Sequence, residues 1–358
     1  MKFGLFAMPA HPPGRDIRQG FEWDLQVIRW LDELGYAEAW VGEHHTVQWE
    51  PNPAPDILIS QAIGQTKSIR LGPGGFLLPF HHPAVLANRI ALLDHISGGR
   101  INFGIAASSI PTDQAMMGVD GSQTRAMTRE SLDMILKLWA AREPFKQQGQ
   151  FWKIASPAPV LGDLFRPFLK PVQTPHPPIG VAGLSPNSDT LKLAGERGFL
   201  PMSLNLNAGY LSGHWAAVEA GAKAAGRAAD RKDWRIVRNV LVADTDAEAI
   251  KLAKEGCMGR MEEDYALKLV KTFGMTGFLK HDPAVPDSDV DIDYMAEHNW
   301  IVGSPATVAA KIEAVHQQVG GFGVLLVLGF DYIEHSEAWR RSLELLANDV
   351  APRLKHLA

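Results

Sequence analysis

The sequence predicts an α/β fold, a (β/α)8 or TIM barrel with two irregular insertions, and three observations carry that prediction. Short apolar runs alternate with amphipathic stretches along the chain, in the βαβα order that builds a parallel sheet with right-handed crossovers. The apolar runs are nearly continuous rather than alternating, which marks strands covered on both faces. Polar clusters follow the ends of successive strands, where a barrel of this kind gathers its chemistry.

Residues 3–8 read as strand one, closed by Pro9. Phe21, Leu25, Ile28, Leu31 and Leu34 recur at three-to-four spacing, so residues 20–34 form a helix that Gly35 ends. Strand two is 39–41 and delivers Glu43, His44 and His45; a loop with Pro51, Pro53 and Pro55 leads to a helix over 56–65. Strand three, 69–75, finishes in Gly72-Pro73-Gly74-Gly75, and His81-His82-Pro83 opens a helix over 84–96. Strand four is 101–106. The loop with Ser108, Ser109, Pro111, Thr112 and Asp113 precedes a helix over 125–139.

Periodicity then fails between 143 and 178, where Pro and Gly are dense and Gln150-Phe151-Trp152-Lys153 reads as one arm of a small hairpin. This is the first insertion. Strand five is 179–183, followed by Leu184-Ser185-Pro186-Asn187-Ser188 and a helix through Arg197; strand six is 200–204. A helix over 209–227 leads to strand seven, 236–243, and a long helix over 246–273. A second irregular insertion, 274–299, lies over the same rim. Ser304-Pro305 starts a helix to Val319, strand eight is 324–328, and the last helix covers 337–350. The insertions thus follow strands four and seven. Barrels commonly run to ~250 residues or more as one unit, so 1–358 is expected to be a single domain.

Composition narrows the function classes. Net charge is −5 from 35 basic and 40 acidic residues, and no Lys/Arg run has the density of a phosphate-backbone footprint, so nucleic acid is not the expected partner. The single cysteine, Cys257, cannot form an internal disulfide, and no Cys-rich spacing suggests zinc, so no metal is expected. A reducing cytoplasm fits. The apolar start, Met1 to Met8, is too short for a signal sequence or a membrane span.

The candidate catalytic residues are Glu43 and His44. Unpaired polar groups in a core would cost roughly 1–3 kcal/mol each, so a carboxylate and two imidazoles after a short strand belong at a mouth. Adjacent residues in an extended segment point to opposite sides, which makes His44 and His45 poor joint ligands for one metal. One is expected to face the pocket and the other to pack or bond behind it; two loop histidines bonding backbone groups is the alternative. His81-His82-Pro83 reads as a structural helix cap. Gly74-Gly75 allows a bulge or a cis peptide on which a flat ring rests without a Cβ in the way, or else a plain tight turn. Leu184 to Ser188 offers hydroxyls and N–H groups at a positive helix end, suited to a phosphate or to simple capping. Phe6, Trp49, Phe76 and Met202 are candidates for an apolar substrate pocket, and the same residue types are what a barrel core requires.

With these residues in view, the chain resembles the bacterial luciferase-like flavin-dependent monooxygenases over most of its length. The resemblance runs through Met1-Lys2-Phe3-Gly4, Glu43-His44-His45, Leu78-Pro79 with His82-Pro83, Leu92 to Arg100 leading into Phe103-Gly104, and Val302-Gly303-Ser304-Pro305. Gly42-Glu43-His44, Ala182-Gly183-Leu184 and Leu193-Ala194-Gly195-Glu196-Arg197 bring it near limonene monooxygenase and the diketocamphane Baeyer–Villiger oxygenases. The resemblance implies reduced FMN delivered by a separate reductase, and O2 as co-substrate. Through a flavin C4a-(hydro)peroxide, one oxygen would pass to a small apolar terpenoid, ketone or aldehyde. It implies that His44 is the catalytic histidine and that Gly74-Gly75 carries a non-prolyl cis peptide beneath the flavin. It places Gly183, Leu184, Ser185, Asn187 and Ser188 on the phosphate side, and favours a homodimer formed through helices on one side of the barrel. Ala106 and Ala107 stand where luciferase has a reactive cysteine and a phosphate-contacting arginine, and Gly183 where it has a glutamate, so light emission is not implied. A deazaflavin-dependent oxidoreductase on the same barrel, or a non-catalytic flavin-binding subunit, is the competing expectation.

Overall fold

The computed structural model describes residues 1–185 and 187–357. Its strands are β1 (Lys2–Ala7), β2 (Glu38–Val41), β3 (Arg70–Pro73), β4 (Phe76–Leu77), β5 (Phe103–Ala106), β6 (Phe145–Gln148), β7 (Lys153–Ser156), β8 (Ile179–Gly183), β9 (Leu200–Ser203), β10 (Arg235–Arg238), β11 (Val240–Val242), β12 (Ile301–Gly303) and β13 (Val324–Leu328). One sheet runs β3-β2-β1-β13-β10-β9-β8-β5-β4, with every pair parallel. Its outermost members, β3 and β4, are halves of one run interrupted at Gly74-Gly75. The sheet therefore closes on itself as a barrel of eight staves, the expected TIM architecture.

The helices are α1 (Ile17–Glu33), α2 (Pro55–Ile63), α3 (Pro83–Ile96), α4 (Pro111–Met116), α5 (Thr124–Ala140), α6 (Asp189–Arg197), α7 (Ala208–Ala224), α8 (Asp246–Glu255), α9 (Cys257–Met261), α10 (Leu267–Thr272), α11 (Ile292–His298), α12 (Pro305–Val319) and α13 (Ser336–Leu345). Proline opens α2, α3, α4 and α12, where its missing N–H would have no helical partner anyway. Asp16 and Thr245 cap α1 and α8 through their side-chain oxygens. Among the described residues no helix is long and apolar enough to cross a membrane.

The barrel interior is filled by Phe6, Trp40, Met202, Val237, Val324 and Leu326. Trp40 needs room, and glycines supply it. A Cβ on Gly180 would lie 2.7 Å from the indole, and one on Gly104 would lie 3.2 Å from it and 1.9 Å from the Pro73 carbonyl oxygen. Beneath Trp40, its indole N–H donates to Glu38 at 2.9 Å, and Glu38 pairs with Arg235 through two nitrogens at 3.0 and 3.1 Å. This buried pair is paired on both sides, as burial of charge requires.

Several expectations are corrected. Strand seven is shorter than expected: it leaves the barrel after Arg238, and Val240–Val242 pairs instead with β12 in a separate two-stranded sheet. An apolar run shows burial, not the partner strand. The long helix over 246–273 is broken at Gly256, where a Cβ would sit 2.5 Å from the Tyr332 ring. It resumes as α9, a π-turn at Glu262–Ala266, and α10. The hairpin of the first insertion is β6 and β7, so Gln150, Phe151 and Trp152 are its turn; their three N–H groups donate to the Glu130 carboxylate. The peptide bonds flanking and joining Gly74 and Gly75 are trans, and the one cis bond among the described residues is Thr174–Pro175. A strand break does not require a cis bond here, because neither glycine has a Cβ to clash: one on Gly75 would lie 2.6 Å from the Ile105 nitrogen.

Candidate active site

β2 ends at Val41, and Gly42 lets the chain turn against Met8, whose sulfur would lie 2.1 Å from a Cβ there. The turn is pinned from both sides, since the Asn52 amide donates to the Gly42 carbonyl at 2.7 Å and His44 N–H donates to the Asn52 carbonyl at 3.1 Å. Glu43 then points into the protein and His44 toward the rim.

The Glu43 carboxylate is buried and receives the ring nitrogens of His45 and His81, each at 2.8 Å, and the Leu77 N–H at 3.0 Å. Burial alone would raise its pKa, but these donors hold it below the usual carboxylate range. Glu43 thus clamps the end of β2 to the strand break. Of the pair read as a cap, His82 does cap α3, while His81 belongs to this clamp and packs edge-on against Phe76.

His44 faces the other way, as alternation in an extended segment requires. Its Nδ1 lies 3.2 Å from the Asp113 carboxylate and its Nε2 lies 3.4 Å from Glu50. Asp113 stands in α4, and its second oxygen accepts the N–H groups of His45 and Thr46 and the Thr46 hydroxyl. Burial opposes charge on the imidazole, yet Asp113, Glu50 and Glu43 together raise the His44 pKa above its ordinary value. The same contacts hold Asp113 down to about 2 in spite of its own desolvation. Burial pushes the Glu50 carboxyl up, and the Tyr265 hydroxyl donates to it at 3.1 Å. The imidazole thus sits between an ionised aspartate and a buried glutamate that favour its charged form.

Around this histidine the rim is small and polar. Gly74 lies over the Phe6 ring, 3.1 Å from where its Cβ would be. Ala106 and Ala107 are half-buried at the end of β5, and Ser108 adopts φ 67°, in the left-handed region. The Ser108 hydroxyl is buried and has no partner among the described residues. Gly183 is required by close approach, since a Cβ would meet Leu191 at 2.4 Å and the Ser188 hydroxyl at 2.9 Å. Leu184 and Ser185 are half-buried; Asn187 is exposed with φ 49°, and Pro186 lies outside the described residues. Ser188 is committed to the helix, accepting from the Leu191 N–H at 3.3 Å.

Beneath that loop, His214 is fully buried, with Nδ1 3.0 Å from the Ser203 hydroxyl and Nε2 unpartnered among the described residues. Burial drives its pKa down to about 4 against the opposing pull of the Leu184 and Ser185 backbone, so it is neutral. It lies under the loop after β8, and nothing in the sequence pattern marked it.

The four pocket candidates are placed differently. Phe6 and Met202 are 3% and 0% exposed inside the barrel, and Phe76 is 0% exposed against His81 and Arg89. Trp49 is 7% exposed within the main core. All four have the burial of core residues. The residues that sequence reading passed over are Glu50 and Tyr265, while Asp113 was noted only as part of a loop. Its signal was Pro111-Thr112-Asp113, a proline helix start with an acid in the first turn.

Residues 1–321 match the luciferase-like monooxygenase family, and the chain belongs to it. It is 36% identical to 2,5-diketocamphane 1,2-monooxygenase 1 of Pseudomonas putida over 99% of each chain. It is 31% identical to limonene 1,2-monooxygenase of Rhodococcus erythropolis, over 98% of this chain and 86% of that protein. Among solved structures, the oxygenating constituent of 3,6-diketocamphane monooxygenase from the CAM plasmid of P. putida, a type II Baeyer–Villiger monooxygenase in complex with FMN, superposes with a TM-score of 0.93. It shares 36% identity, over 98% of each chain.

Proposed function

We propose that this chain is the oxygenase of a two-component system, using reduced FMN from a separate reductase and O2 to insert one oxygen atom into a small apolar terpenoid, ketone or aldehyde. The observation that carries the reading is His44, held at the rim between two carboxylates that favour its charged form, beside a strand break made of two glycines. The residues present suit FMN. Gly74-Gly75 with Ala106 and Ala107 leaves a floor without bulky side chains, and the unpartnered Ser108 hydroxyl is a polar atom awaiting a ligand. Ser185 and the N-terminus of α6 would take the phosphate. Asp189 in the first turn of α6 opposes an anion there, but its carboxylate is engaged by Arg125 at 3.0 Å.

Bound reduced FMN supplies the electrons and activates O2. The chain does the rest. Glu43 fixes the end of β2, Asp113 orients the imidazole through Nδ1, and Nε2 carries the proton that the reaction needs at the mouth. Because the His44 pKa is raised, it acts as the acid, and this competence is lost as pH rises through that raised value. The second insertion packs on the loop after β9, where the Asn207 N–H donates to the Phe278 carbonyl at 3.0 Å, and would help keep water from the rim, which favours oxygen transfer over release of H2O2.

Anaerobic titration with photoreduced FMN should saturate the protein, and mixing with 18O2 in the presence of a cyclic ketone or monoterpene should place one labelled atom in the product. Reoxidation at the rate of free FMN, with no label in any product, would overturn the reading.

We also propose a homodimer through α2 and α3. Ile57, Val85, Leu92 and Ile96 are exposed on these two helices, apolar side chains that an interface would cover. Light scattering should give twice the 39.2 kDa chain mass, and Leu92→Glu should halve it. A wild-type mass of one chain would rule the dimer out.

A further inference from the structure

Glu50 has no role in the scheme above, yet it stands at its centre. It is buried in the loop after β2, with one oxygen 3.4 Å from His44 Nε2 and within 3.1 Å of the Tyr265 hydroxyl. The two carboxylates on His44 differ in kind. Asp113 is tied down by three further donors and stays ionised. Glu50 has only the Tyr265 hydroxyl and the imidazole, and its distance to Nε2 exceeds that of a settled N–H···O bond. Nε2 is therefore the nitrogen free to change partner. The groups facing His44 are Asp113, Glu50 and Glu43; those facing Glu50 are His44, Tyr265 and Asp113. Tyr265 arrives from the π-turn at Glu262–Ala266, the kind of helix irregularity that re-aims side chains at functional sites.

We propose that Glu50 is a positioning residue for His44, held in place by Tyr265. The inference rests on His44 being the acid of the oxygenase. When the Nε2–H bond breaks and its proton passes to the reacting oxygen, the imidazole is left neutral beside the Glu50 carboxylate, which favours the return of a proton to Nε2 from solvent. The Tyr265 hydroxyl holds that carboxylate in place. Only protons move, and the one given up by Nε2 is replaced from solvent. Burial opposes the charge on Glu50, and the imidazolium and the Tyr265 hydroxyl offset that cost.

The test needs no flavin. In the FMN-free protein, histidine 1H–13C NMR follows the His44 titration, assigned by its loss in His44→Ala. Glu50→Gln keeps the side-chain shape, and the His44 midpoint should fall by about one unit, since an opposite charge within ~4–6 Å has been removed. Tyr265→Phe should lower it by less, because an unsupported Glu50 ionises less readily. The alkaline limb of the product-against-pH profile should move in step with the NMR midpoint. A purely structural Glu50 would lower yield evenly across pH and leave the midpoint alone. An unmoved midpoint in both variants overturns the proposal, and Tyr265→Phe remains informative should Glu50→Gln fold poorly. The oxygenase reading fails separately: a moved midpoint in a protein whose wild type gives no labelled product would sink that reading and not the His44–Glu50 coupling.

Discussion

His44→Ala is expected to lower the yield of oxygenated product per reduced FMN by about 10²-fold or more, the usual contribution of a positioned acid, while FMN affinity changes little. The flavin floor proposed above, Gly74, Gly75, Ala106 and Ala107, has no hydrogen bond to the His44 ring. The reduced flavin should still consume O2, with H2O2 replacing product. The loop should survive the substitution, because Asp113 keeps its bonds to His45 and Thr46, and the Glu43 clamp does not involve His44. Labelled product and H2O2, measured side by side with flavin affinity, check this; an unchanged product yield would remove His44 from the chemistry.

Gly104→Ala is expected to abolish folding or cost more than about 4 kcal/mol, among the largest effects a single methyl group can have. The added carbon would lie 1.9 Å from the Pro73 carbonyl oxygen, and that oxygen is backbone of β3 beside the strand break that closes the barrel. Gly180→Ala is the informative comparison. Its closest clash, 2.7 Å, is with the Trp40 ring, with the flexible Met202 methyl next at 3.0 Å, so a smaller residue at 40 should relieve most of it and should not relieve Gly104→Ala. Thermal unfolding of the two variants with and without Trp40→Leu measures the difference. A Gly104→Ala protein as stable as wild type would mean that the seam between β3 and β5 opens without cost.

The sequence made the barrel legible wherever apolar runs and breakers coincided. Residues 179–183 and 324–328 are strands at the expected bounds, because each is a buried run between turn residues. Residues 240–242 misled, since continuing hydrophobicity says nothing about which sheet a strand joins. The helix over 246–273 misled because its apolar spacing persists through Gly256, whereas the break is set by Tyr332 from far along the chain. At the rim, Glu43-His44-His45 could be read because a strand stops just before them. The partners of His44 could not. Asp113 is 69 residues from His44 and Tyr265 is 215 residues from Glu50, and such pairings are decided by barrel closure. Phe6, Trp49, Phe76 and Met202 show the converse: large apolar residues near strand ends look alike in sequence whether they line a cavity or fill a core.

The filled barrel interior bears on kinetics. With Trp40 stoppered from below by the Glu38–Arg235 pair, the barrel axis is filled. On the proposed reading, reactants and products would then share the rim at the strand C-termini. Whichever ligand seats deeper would have to arrive first and depart last, so the order of events in turnover would be imposed by depth rather than by relative affinity.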